Sequence, residues 1–78
     1  MRLVFCAHLK DVTGCAGMEL PLGDVDCDGL WRQLLKVQPG LAPFRGHIRL
    51  ARNGEFAGPD TRFKEGDEVA LIPPVSGG

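Results

Sequence analysis

The group best placed to do chemistry is the terminal carboxylate. The sequence closes on Ile72-Pro73-Pro74-Val75-Ser76-Gly77-Gly78. Glycine has no Cβ, so Gly77 and Gly78 fit a tunnel that any side chain would block. The carboxylate of Gly78 is then the one reactive group delivered, and it is ionised at neutral pH because such a group has a pKa of about 3.3–3.7. A carboxylate can attack the α-phosphate of ATP and become an acyl adenylate, whose carbonyl accepts a nucleophile. A sulfur nucleophile gives a thioester, an acyl persulfide or a thiocarboxylate; an amine gives an isopeptide bond. The plain alternative is a chain end that happens to be glycine, since chain ends commonly carry no structure. The combination argues against it: a proline stop, a short polar tail and a diglycine end belong to one small domain.

The other groups with chemical potential are Cys6, Cys15, Cys27, His8 and His47. Three cysteines at wide spacing make a poor disulfide framework. No Cys-x-x-Cys pair exists, so a closed zinc site is hard to assemble. A Cys–His nucleophilic pair lacks a third, orienting group. The reading that remains is small apolar thiols and solvated imidazoles. Reduced thiols point to a reducing compartment, and the expected location is the cytoplasm.

Composition narrows the classes further. The chain has 78 residues, one small domain, with 9 basic and 10 acidic side chains. A nucleic-acid module needs a basic stripe to release counterions, and none is present. Apolar runs last only a few residues, too short to span a membrane. His8, Lys10 and Asp11 follow the first apolar run too closely for a signal peptide. So small a chain encloses little pocket volume, which favours a binding or carrier module over a stand-alone enzyme.

Something must hold the tail out. Arg2 to Ala7 reads as a strand, with Leu3, Phe5 and Ala7 facing one way and Arg2, Val4 and Cys6 the other. After a turn over Gly14 to Gly17, Met18, Leu20 and Leu22 alternate with Glu19 and Pro21 as a second strand, and Pro21 marks an edge. The two predict an antiparallel hairpin. Asp26 then caps a helix in which Leu30, Leu34 and Val37 form an apolar stripe beside Trp31 and Leu35. Gly29 weakens its first turn, and Pro39-Gly40 stops it. Ile48 to Ala51 is a third strand, and Asn53-Gly54 predicts a type I′ turn into a short strand at Glu55-Phe56-Ala57. The charged turn Lys64-Glu65-Gly66-Asp67 leads into a last strand from Glu68 to Pro73, with Val69 and Leu71 toward the helix and Ala70 and Ile72 away. The order β-β-α-β-β-β predicts an α+β domain over residues 1–74. Its mixed sheet has one main helix across one face, and the first and last strands lie side by side in parallel. This is the β-grasp, or ubiquitin-like, arrangement. Pro73 and Pro74 end the pairing, and residues 75–78 form a flexible tail, which at full extension reaches roughly 13–14 Å.

The stretch Asp67-Glu68-Val69-Ala70-Leu71-Ile72-Pro73-Pro74-Val75-Ser76-Gly77-Gly78 resembles the C-terminal signature of the MoaD family, the small sulfur-carrier subunits of molybdopterin synthase. The likeness extends to the opening strand, the helix beginning near Asp26 and Leu50-Ala51-Arg52-Asn53-Gly54. The related thiamine sulfur carriers are similar in fold and also end in Gly-Gly, usually without the double proline. The MoaD resemblance implies that a ubiquitin-activating-like adenylyltransferase uses Mg-ATP to adenylate Gly78, that a persulfide donor converts it to a thiocarboxylate, and that the tail enters the large molybdopterin synthase subunit. There sulfur passes to cyclic pyranopterin monophosphate. It also implies a heterotetramer, and no cofactor bound by the chain itself.

A docking surface is expected beside the tail: Cys6 and Ile72 by strand parity, Phe56 by the resemblance, and Pro73, Pro74, Val75 and Ser76 by continuity with the end. An exposed apolar patch there suits a partner interface. The alternative is that these residues close a small second core. Two departures from the family pattern stand out: a weak helix start at Cys27-Asp28-Gly29, and Cys6 in place of a bulky aromatic.

Overall fold

The computed structural model describes residues 1–74. The expected 75–78 tail lies outside them. Five strands, β1 (Arg2–Phe5), β2 (Gly17–Glu19), β3 (Arg49–Arg52), β4 (Glu55–Phe56) and β5 (Glu68–Ile72), form one sheet in the order β2-β1-β5-β3-β4. The central pair β1 and β5 is parallel, with Leu3 opposite Val69 and Phe5 opposite Leu71. All other pairings are antiparallel. The chain therefore has the expected α+β mixed sheet of the β-grasp kind.

The main helix α2 (Cys27–Val37) starts where a cap was expected: the Asp26 carboxylate accepts the Gly29 N–H at 2.8 Å. Gly29 is less of a weakness than its helix propensity implies. A Cβ there would sit 3.2 Å from both the capping oxygen and Val25 Cβ, so the smallest residue leaves room for the cap. Leu30, Trp31 and Leu34 are buried. They pack with Leu3, Phe5, Leu50, Val69 and Leu71 into one core. Val37, expected on the same stripe, is 48% exposed.

Three features differ from the sequence expectation. The first two strands pair as expected but are joined by a short helix, α1 (Leu9–Thr13). Leu9 is fully buried, and the Thr13 hydroxyl donates to the Leu9 carbonyl at 2.9 Å. Strand β1 ends at Phe5, and Ala7 is exposed in the left-handed region (φ 52) rather than lying inward beside Leu3 and Phe5. Strand β2 is three residues long, not a run to Leu22, although it does occupy the sheet edge. It lies close against β1, where a Cβ on Gly17 would fall 2.6 Å from the Leu3 carbonyl oxygen.

A 3-10 segment (Pro39–His47) follows α2, and Arg45 ties it back: its guanidinium meets Asp28 at 2.7 Å, and Asp28 also holds Arg32 at 2.6 Å. Both cations draw the Asp28 carboxyl below the usual carboxylate range, with the Arg45 hydrogen bond the larger cause. Asn53 (φ 51) and Gly54 (φ 88) form the type I′ hairpin turn between β3 and β4.

Candidate functional site

The tail departs from the C-terminal end of a central strand, and its root is held on both sides. Ile72 pairs with Arg49 of β3. On the other side the Cys6 N–H donates to the Leu71 carbonyl at 3.1 Å. Pro73 is buried and Pro74 exposed. The strand that leads to the chain end thus lies in the middle of the sheet, where a pull is resisted by two neighbours rather than one.

The start of β5 is secured as firmly. The Asp67 carboxylate accepts the Lys64 N–H at 2.8 Å and the Asn53 amide at 3.1 Å, while Asn53 in turn accepts the Glu68 N–H at 2.9 Å. The Lys64 backbone bond, then the Asn53 amide, hold the Asp67 carboxyl below the ordinary carboxylate value. This network joins the β3–β4 turn to the turn before β5. The acidic turn thereby ties the β3–β4 hairpin to the start of β5.

Strand parity sorts the remaining side chains. Opposite residues share a side, so Arg2, Glu19 and Glu68 form one row across β1, β2 and β5 on the sheet face turned away from α2. Val4, Ala70, Ala51 and Phe56 form the next. Ile72 and Arg49 form a third, with Cys6 continuing the β1 register beside Ile72. Cys6, Phe56 and Ile72 therefore share this open face. Val4, Cys6, Ala70 and Ile72 are half-buried, and Phe56 is 57% exposed. Among the charges on it, Arg2 lies 3.9 Å from Glu19. Arg49 instead stacks on Phe56, its guanidinium carbon 3.9 Å from the ring centroid. Sequence reasoning missed Arg49. Its parity with Ala51, opposite Phe56 across the hairpin turn, was the available signal.

Cys15 and Cys27 each point their Sγ at a backbone carbonyl 3.9 Å away, of Thr13 and Gly58 respectively. Burial, and secondarily Asp26, push the Cys27 thiol up, opposite to the shift an activated nucleophile needs. His8 rests edge-on against Phe44 with ring centroids 5.8 Å apart. No three His, Cys, Asp or Glu side chains among the described residues are placed to hold a metal ion. No helix there is long and apolar enough to cross a membrane. A shallow depression of about 420 Å³, lined by Met1, Glu19, Leu20 and Glu65 among others, lies at the end of the sheet opposite the tail root.

Gly77, Gly78, Val75 and Ser76 lie outside the described residues. The described part of the site is therefore a root and a face: a braced strand end at Ile72-Pro73-Pro74, and beside it a shallow apolar surface carrying one stacked cation.

Comparison with known proteins places this arrangement. The ThiS family model matches residues 3–78. The molybdopterin synthase sulfur carrier subunit of Chlamydomonas reinhardtii is 32% identical, over 100% of this chain and 98% of that protein. Among solved structures, SAMP1 from Haloferax volcanii, a small archaeal modifier protein, superposes with a TM-score of 0.83 at 31% identity, covering 99% of this chain and 97% of that one. A chain from the Helicobacter pylori complex of subunits 1 and 2 of molybdopterin-converting factor superposes with a TM-score of 0.68 at 26% identity, covering 99% and 96%. The match runs from the first strand through the diglycine end, and the chain belongs to the ThiS family.

Proposed function

We propose that this chain is the sulfur-carrying small subunit of a molybdopterin synthase. The observation that carries the reading is the Pro73-Pro74-Val75-Ser76-Gly77-Gly78 end issuing directly from central strand β5, in a chain alignable over its whole length with a sulfur carrier subunit. The Gly78 carboxylate attacks the α-phosphate of Mg-ATP held by an adenylyltransferase, and pyrophosphate leaves. A protein persulfide attacks the resulting acyl adenylate, and AMP leaves. A second thiol then takes the outer partner of the acyl disulfide, releasing the Gly78 thiocarboxylate and a disulfide. That thiocarboxylate is the nucleophile presented to cyclic pyranopterin monophosphate in the large subunit, within a heterotetramer.

The chain's own part in this is mechanical. The terminal atoms react, and β5 fixes where they start from. Tethering raises the effective concentration of sulfur at the acceptor and limits its loss to solvent. The open face of Val4, Cys6, Ala51, Phe56, Ala70 and Ile72 is the docking surface that seats the domain while the tail enters.

Tandem mass spectrometry of the intact protein from its own cells tests the reading. A C-terminal fragment in which one oxygen of Gly78 is replaced by sulfur is the expected result. If only the carboxylate is found, even after incubation with the adenylating enzyme, Mg-ATP and a persulfide donor, the reading fails. Removing Gly78 is expected to abolish sulfur transfer and leave the unfolding midpoint unchanged, because a chain end contributes little to stability.

A second reading is a ubiquitin-like modifier joined to lysines through the same adenylate. The full-length likeness to small archaeal modifier protein 1 favours it. Lysine-linked conjugates lost on removal of Gly78 would establish it. A sulfur carrier for thiamine or another pathway would show the same thiocarboxylate but would fail to bind a large molybdopterin synthase subunit.

A further inference from the structure

The charges of the open face are arranged along the direction of the tail. At the end far from it, Arg2 lies between Glu19 of β2 and Glu68 of β5 in the strand register, and Glu19 also meets the Met1 ammonium at 3.7 Å, so the charges there balance. At the tail end the row of Ile72 carries Arg49, which has no carboxylate within ion-pair distance among the described residues. The face is thus balanced at the far end and carries an uncompensated positive charge, Arg49, at the end from which the tail leaves.

Arg49 is also held in a particular way. Its guanidinium carbon is 3.9 Å from the centroid of Phe56, an exposed ring on the neighbouring strand. A guanidinium over a ring face satisfies its π surface and leaves its N–H edge free for planar acceptors. Burial of an aliphatic patch around such a group lowers the local dielectric and strengthens a charge-assisted hydrogen bond to it. An apolar partner surface alone would leave that cation desolvated and unpaired.

We propose that Arg49, oriented by Phe56, is the charge anchor of the docking face. It takes a carboxylate that the partner protein presents at the rim of the opening through which the tail enters. This deepens the small-subunit reading and rests on it: the partner is the large synthase subunit, and the added claim is the acidic group at that rim and the residue that reads it. Arg2, already paired, steers the far end weakly by comparison.

The test is calorimetric titration of the full chain, wild type and variants, into the large subunit of the same source at salt concentrations between low and high. Arg49→Gln is expected to weaken binding about tenfold at low salt and to flatten the salt dependence. Arg49→Lys should recover only part of the loss, since an ammonium does not present two parallel donors. Phe56→Leu keeps an apolar side chain and should weaken binding chiefly when Arg49 is present, so that the double variant is little worse than Arg49→Gln alone. Arg2→Gln should bind within twofold of wild type. Amide NMR spectra of each variant confirm that the monomer is folded. If the wild type binds and Arg49→Gln binds equally well at every salt concentration, the anchor is overturned while the small-subunit reading stands. If Arg49→Gln binds more tightly, the anchor is again overturned. If the wild type does not bind the large subunit at all, both readings fall together.

Discussion

The two faces of the sheet are built by the same strands, one residue out of step, and they differ in what covers them. On one, Leu3, Phe5, Leu50, Val69 and Leu71 are buried, all but Leu50 at 1% exposure or less, beneath Leu30, Trp31 and Leu34 of α2. On the other, Val4, Cys6, Ala70 and Ile72 are half-buried, Ala51 is covered, and Phe56 stands out. The covered face carries long aliphatic and aromatic side chains that interdigitate with a helix. The open face carries small ones, Cys6, Ala51 and Ala70, that leave a shallow surface. A two-layer domain needs one apolar face for folding, and parity then leaves the second free for a different selection. In β5, Val69 and Leu71 belong to the covered core, whereas Ala70 and Ile72 lie half-buried on the open face, where the proposed docking would act.

That division can be broken most sharply within β5. Leu71→Ala removes a fully buried side chain from the centre of the core. It is expected to lower unfolding free energy by about 3 kcal/mol, out of roughly 4–12 kcal/mol for a chain of this length. Ile72→Asp, one residue on, should lower it by about 1 kcal/mol, chiefly through poor strand propensity. The same substitution should weaken binding to the large synthase subunit by about thirtyfold, as loss of a central apolar contact does. Urea denaturation and calorimetric titration read the two effects separately. Equal stability losses for the two variants, or unchanged binding of Ile72→Asp, would erase the distinction between the faces.

The same parity explains how much could be read without coordinates. Strands with period-two alternation were legible, as were the Asp26 cap and the Asn53-Gly54 turn, because each is a local rule that tertiary packing reinforces. The five residues of α1 were not. One and a half turns carry no periodicity, and the segment is helical because Leu9 finds a place in the core. Phe63 was overlooked for a related reason. It sits alone among polar residues, yet it is fully buried and bridges to Val25 through two backbone hydrogen bonds. Val37 lies on the apolar stripe by spacing, but spacing does not say where the adjoining layer ends. In the site, Cys6 and Ile72 followed from counting along strands, whereas Arg49 depends on a stack across a hairpin, which no single-strand pattern records.

The covered face also depends on how its helix begins. The Asp26 cap satisfies an otherwise unpaired N–H of α2, and that helix supplies Leu30, Trp31 and Leu34 to the core. Asp26→Ala should lower stability by about 1 kcal/mol, read as a drop in the urea midpoint at neutral pH. Affinity for the large subunit should be unchanged, because the open face does not touch α2. A loss of affinity comparable to that of Ile72→Asp would mean that the two faces are coupled through the sheet.

The smallest effect concerns the turns that align β3 with β5 and so set both faces in register. Asp67 binds the Lys64 N–H and the Asn53 amide as a carboxylate, and these bonds depress its pKa in the folded chain. A depressed carboxylate contributes stability that is present above its unfolded value, about 3.9, and is lost as pH falls through the lower folded value. Asp24, beside Arg62, and Asp28, between Arg32 and Arg45, are shifted the same way. The wild-type urea midpoint is therefore expected to hold through the mildly acidic range and to fall as pH drops below about 4. Asp67→Asn keeps one acceptor oxygen but cannot titrate, so its midpoint should be lower at neutral pH and should fall less on acidification. Asp24 and Asp28 are exposed and Asp67 is half-buried, and high salt should shrink the contributions of Asp24 and Asp28 more than that of Asp67, whose main partner is a backbone N–H rather than a cation. An acid response in Asp67→Asn as steep as in the wild type would assign the low-pH loss to the two ion pairs and leave the Asn53–Asp67 lock to act on register alone.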